Sequence, residues 1–126
     1  MSTPIEHYKA GLTLFGQQKN AEAAAEFQKA LDLKPDWLDA MHALATAQSK
    51  LGRQDDALAT IGRVIELDPD DPFAYTSQSI FLQRKGLVPE AEAAAAKARM
   101  AAWKKELKTN PKAPPPAGAP GMSVVQ

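Results

Sequence analysis

The side chains best suited to chemistry in this 126-residue sequence are two histidines, His7 and His42, set among scattered carboxylates. Asp39 and His42 stand three apart, which on a helix places them on one face, a spacing compatible with metal ligation. Two ligands do not make a site, because a zinc ion generally takes at least three from the protein, so the pair reads as exposed polar groups. There is no cysteine, which excludes thiol catalysis, disulfide staples and Cys-based zinc sites. No G-x-G-x-x-G, P-loop, H-E-x-x-H or G-x-S-x-G stretch occurs. The carboxylates are isolated and suit solvated helix faces. The expectation is a protein that is not an enzyme and holds no catalytic residue, metal or cofactor.

The elements that would position these groups are helices. Ala supplies 24 residues, while Val and Ile supply four each, a composition that disfavours β-rich architectures. No run of about 18 apolar residues occurs, so no membrane span is expected. The N-terminal residues have neither a basic nor an apolar leader region, which fits a cytoplasmic protein. The pattern Ala23-x-x-x-Phe27-x-x-Ala30-x-x-x-x-Pro35 returns 34 residues later as Ala57, Ile61, Val64 and Pro69. It returns again as Ala91, Ala95 and Ala98, with Trp103 in place of the proline. Gly11, Ala45 and Ser79 keep the same interval and are all small. Three repeats, 4–37, 38–71 and 72–105, each of two helices, account for this period. The spacing predicts helices near 4–17, 20–33, 36–51, 54–67, 71–85 and 88–109. Thr3, Asp36 and Asp71 are the expected N-caps of the first helix of each repeat, and Gly52 and Gly86 the turns of the second and third. Residues 1–109 thus read as one repeat domain. The Pro/Ala/Gly-rich stretch 110–126 reads as a disordered, untethered tail.

A 34-residue helix–turn–helix period carrying these residues resembles the tetratricopeptide repeat family. Gly11, Leu14, Ala23, Phe27, Ala30 and Pro35 carry the match in the first repeat, with His7 where Trp is usual. Leu44, Ala45, Ala57, Ile61 and Pro69 carry it in the second, and Tyr75, Ser79, Leu82, Ala91 and Ala98 in the third. The resemblance implies an all-α fold, a right-handed α-solenoid of three such repeats with an extended last helix. Leu14, Phe27, Leu44, Leu58, Ile61, Ile65, Tyr75 and Leu82 are then expected in the core. It also implies a concave groove lined by the first helices, where members of the family bind peptides or helices of partner proteins. By register that groove takes Ile5, Tyr8, Lys9, Leu12 and Phe15 from the first repeat. Asp39, His42, Ala43, Thr46 and Ser49 follow from the second, and Phe73, Thr76, Ser77, Ile80 and Arg84 from the third. Some members hold chaperone C-termini in a carboxylate clamp of cations. Tyr8, Leu12, Ala43, Phe73 and Ser77 stand at those places, so no clamp of that kind is expected.

A second interface candidate lies on the last helix, where Arg99, Met100, Trp103, Lys104, Lys105 and Leu107 combine an apolar stripe with cations. Residues 97–126 carry 6 cations and 1 acid, while 1–96 carry 9 and 14, so a net charge of zero hides an acidic body and a basic end. The basic stretch could serve three partners: a second copy in a homodimer, an acidic protein surface, or a larger assembly such as a tubulin-like filament that the chain would decorate as an accessory subunit. Nucleic acid is not an expected partner of so few cations on an acidic body. The leading expectation is an adaptor or scaffold that binds a peptide or helix in its groove.

Overall fold

The computed structural model describes residues 2–117. Six helices form, α1 (Pro4–Gly16), α2 (Asn20–Leu33), α3 (Leu38–Lys50), α4 (Gln54–Leu67), α5 (Pro72–Arg84) and α6 (Val88–Thr109), and there is no strand among the described residues. They group into two compact units, Met1–Leu67 with α1 to α4, and Asp68–Gln126 with α5 and α6.

Local sequence sets the helix ends. The Thr3 hydroxyl accepts from the Glu6 backbone N–H at 3.1 Å and Pro4 opens α1, where its missing N–H costs nothing. Asp71 does the same for α5, accepting from the Phe73 N–H at 2.9 Å. Asp36 does not cap: α3 starts two residues later than expected, at Leu38, behind Trp37, and the Asp36 carboxylate instead lies 3.8 Å from the Arg63 guanidinium.

The turns inside the three hairpins are copies of one another. Lys19 N–H donates to Leu14 O, Arg53 N–H to Gln48 O and Leu87 N–H to Leu82 O, each at 2.9 Å. This closure satisfies terminal helix carbonyls and needs one left-handed residue. Gly52 and Gly86 supply it, both at φ +82°, and the same place in the first repeat is held by Gln18 at φ 62°. Sequence inspection finds the two glycines and misses Gln18, because a non-glycine at positive φ carries no compositional mark.

In the first unit the core is built by large side chains set over small ones. Phe27, Ile61 and Val64 are the largest fully buried side chains. Phe27 lies against Gly11: a Cβ there would come within 2.4 Å of the ring, so only glycine lets α1 and α2 approach this closely. Leu44 is buried as expected, whereas Leu14, Leu58 and Ile65 are half-buried. In the second unit α6 contributes Ala91, Ala94, Ala98 and Ala101 to the interior, and the large buried residue, Phe81, comes from α5. Tyr75 and Leu82 are half-buried there. The Ser79 hydroxyl donates to Ala91 O at 2.7 Å across the α5–α6 contact, which satisfies this buried polar group.

The beginning of the Pro-rich stretch is tethered, contrary to expectation. After α6 the chain turns at Asn110, and the Trp103 indole N–H donates to Ala113 O at 3.0 Å. Ala113 is 5% exposed, and Pro115 and Pro116 are half-buried. The remainder of the expected disordered tail, 118–126, lies outside the described residues.

Candidate binding face

In the first unit, α1 presents Ile5, Tyr8, Leu12 and Phe15 at intervals that follow one helical face. Ile5 is 55% and Leu12 45% exposed, and Lys9 is exposed beside them. Phe15 is half-buried. Tyr8 is not a free anchor. Its ring packs 5.9 Å from that of Phe27 and 4.7 Å from that of Trp37, centroid to centroid. Burial, and secondarily the Asp39 charge, raise the Tyr8 hydroxyl above its ordinary value, so at neutral pH it is a neutral donor. That coupling places Asp39 of α3 near Tyr8 of α1, and the two helices contribute to one face.

Trp37 is the residue of this face that sequence reasoning missed. It caps α3 from the α2–α3 connection, half-buried, with the Lys34 ammonium 4.9 Å from its ring centroid. Its signal was present, an aromatic directly after Pro35-Asp36, but the repeat pattern draws attention to the helices and away from the connection. Further along α3, Asp39 is exposed and His42, Ala43 and Thr46 are half-buried. Thr46 spends its hydroxyl proton on His42 O at 2.9 Å, so it offers a partner only acceptor capacity. Ser49 is buried rather than lining the face, and its hydroxyl donates to the Gln54 side chain at 2.7 Å.

In the second unit, α5 carries its own strip. Phe73 is 73% and Ile80 40% exposed, with Thr76 and Arg84 exposed and Ser77 half-buried. On α6 the stripe expected to serve as a second interface is partly used up. Trp103 is bound to the returning chain at Ala113, and Met100 and Leu107 are half-buried, while Arg99, Lys104 and Lys105 are exposed.

His7 takes no part in this face. Its Nδ1–H donates to Glu26 of α2 at 2.6 Å, and this bond, chiefly, holds the Glu26 carboxyl below the ordinary carboxylate value. No three His, Cys, Asp or Glu gather to hold a metal ion among the described residues. No helix among them is long and apolar enough to cross a membrane.

The sequence profile of the tetratricopeptide repeat matches residues 14–77, just over half of the chain. The chain belongs to the tetratricopeptide repeat family. Its fold is that of the family's all-α solenoids, helix–turn–helix repeats in series. Rattus norvegicus DnaJ homolog subfamily C member 3 is 32% identical over 106 residues, which is 84% of this chain and 19% of that protein. The tetratricopeptide chain therefore spans about a fifth of that relative's length. Among solved structures, MamA superposes with a TM-score of 0.78 at 26% identity, covering 82% of this chain and 61% of MamA. The Yersinia enterocolitica type III secretion chaperone SycD, solved with a peptide of the translocator YopD, superposes with a TM-score of 0.74 at 22% identity, covering 82% of this chain and 80% of that one. At that identity the likeness to SycD is one of fold.

Proposed function

We propose that this tetratricopeptide protein is a non-enzymatic adaptor or scaffold that holds a peptide or helix of a partner protein on its first-helix faces. The observation that carries the reading is the pair of exposed aliphatic side chains on α1, Ile5 and Leu12, set beside the fixed rings of Tyr8 and Trp37. Apolar groups held on a rigid helix and rimmed by polar ones are what a partner segment covers with profit, since little ordering cost remains. Lys9, Asp39 and His42 would set the polar register of that segment, and Phe15, Thr46 and Ala43 its depth. On α5, Phe73, Thr76, Ser77, Ile80 and Arg84 form a second strip of the same kind. The carboxylate-clamp mode is not part of the proposal, because Tyr8, Leu12, Ala43, Phe73 and Ser77 supply no cation.

A second reading, an accessory subunit docking on an acidic assembly surface, is favoured by one observation: Lys97, Arg99, Lys104, Lys105 and Lys108 are all exposed on α6. Quantitative affinity capture on the full chain separates the two. If the α1 face binds, Ile5→Asp with Leu12→Asp removes the captured partner while raising salt to about 0.5 M does not, because the Debye length then falls to a few ångströms and only ionic contacts fade. If the cations bind, salt removes the partner and the α1 variants leave it in place.

A further inference from the structure

We propose that residues 110–117 are a strap closed over Trp103 at the basic end of α6, and that lifting the strap admits an acidic segment of a partner protein. The inference rests on the second reading above, docking through the α6 cations, and names what regulates that surface. The last turns of α6 have little interior of their own. Ala101 is the last buried residue of the helix, and between 102 and 109 only Trp103 and Leu107 are half-buried. Arg99, Trp103 and Leu107 stand four apart on one row of the helix, and Lys104 and Lys108 lie along the next, with all three cations exposed. From 97 to 126 the single acid is Glu106, against six cations. An apolar centre with such an edge complements a segment that carries an apolar side chain between carboxylates.

The strap is built to close readily and to leave at small cost. Its turn is local: the Ala113 N–H donates to Asn110 O at 3.0 Å and the Lys112 N–H to the Asn110 side chain at 3.2 Å. The Trp103 indole N–H then donates to Ala113 O at 3.0 Å, which ties the returning chain to the helix. Next come Pro114, Pro115 and Pro116, which have no N–H to give, so main-chain donors cannot stitch the strap down along this stretch. Ala113, Pro114 and Pro115 each precede a proline and are thereby biased to extended backbone, so closing the strap orders a chain that is already stiff. An extended proline segment turns once in three residues. The burial follows that period: Ala113 is buried and Pro116 half-buried, while Pro114 and Ala117 are exposed. The strap thus has an inner and an outer side, as a seated segment does.

The test uses the full chain with Trp37→Phe, so that Trp103 is the one tryptophan read. Two opened forms are compared with this parent. Ala113→Gln puts a bulkier side chain where Ala113 is 5% exposed. Pro115→Gly with Pro116→Gly loosens the strap outside every helix, so α6 keeps its own sequence. Acrylamide should quench Trp103 more strongly in both opened forms than in the parent. A fluorescein-labelled peptide of alternating Glu and Leu then serves as the acidic probe, titrated by anisotropy at low salt. Both opened forms should bind it about fivefold or more tightly than the parent, the ratio expected if the parent's strap is lifted about a fifth of the time or less. Trp103→Ala in an opened form should abolish the gain, and added salt should weaken binding in every form. Unchanged quenching, equal affinity of parent and opened forms, or a gain that survives Trp103→Ala overturns the strap and leaves the docking reading standing. If no form binds the peptide at low salt up to about 1 mM, where charge attraction is strongest, both are overturned.

Discussion

The two units solve the same packing problem with opposite distributions of bulk. In the first, the second helix of each hairpin buries a large side chain, Phe27 or Ile61, and Phe27 lies directly against Gly11 of the first helix. In the second, the position of Phe27 and Ile61 is taken by Ala95, the interior of α6 is alanine throughout, and the bulk sits on α5 as Phe81. One unit is held by filling and burial. The other buries Phe81 of α5 with the alanines of α6, with a hydroxyl-to-carbonyl bond from Ser79 across the contact. The period is thus a constraint on spacing, and each repeat is free to choose which side of the contact supplies the volume.

The sharpest way to break this comparison is to remove the filler. Phe27→Ala should cost about 3–5 kcal/mol in a urea melt, since the ring is fully buried. Ala95→Gly, at the matching place in the second unit, should cost only about 1 kcal/mol, the helix penalty of glycine. Equal losses would show that the two interiors do not differ. Next in size is the close approach itself. Gly11→Ala places a methyl against a closed-in ring and should lose about 1–3 kcal/mol, whereas Ser79→Ala should lose about 1 kcal/mol, one hydrogen bond.

The turns should respond in opposite directions. Gly52→Ala forces a side chain into the left-handed region and should cost about 1 kcal/mol, while Gln18→Gly should raise the stability of the first unit by up to about 1 kcal/mol. The smallest effect is the pH-dependent one. Because His7 holds the Glu26 carboxyl below its ordinary value of 4.5, the ionised bond contributes stability that is complete above that value and is lost as the pH falls through the lower, folded one. The difference in Tm between wild type and Glu26→Gln should be present at about pH 5 and close in stronger acid. A difference that widened on acidification would contradict the assigned bond.

These particulars also show how far the residues alone could be read. The 34-residue period placed α2, α4 and α6 at the bounds observed, and α1, α3 and α5 within two residues, because caps, glycine turns and apolar spacing are all local signals. What stayed hidden depends on contacts between distant residues. Asp36 is a good N-cap by type, yet Arg63 lies beside it and Trp37 takes the capping place. The Pro-rich stretch is poor in core residues, and nothing in its composition announces that Trp103 would bind Ala113. The candidate face was legible in outline: Ile5 and Leu12 are exposed where the register put them, but Tyr8 and Ser49 proved to be partly or wholly committed to packing.

The pairing of Trp103 with the returning chain has a practical corollary. The sequence holds two tryptophans, and they fall one to each unit, Trp37 beside Tyr8 and Lys34 and Trp103 against Ala113. Each unit thereby carries its own intrinsic fluorophore in a distinct environment, one near a cation and a phenol, the other hydrogen-bonded to a carbonyl. Single Trp→Phe variants would let the unfolding of the two halves be timed separately in the intact chain, without any attached dye.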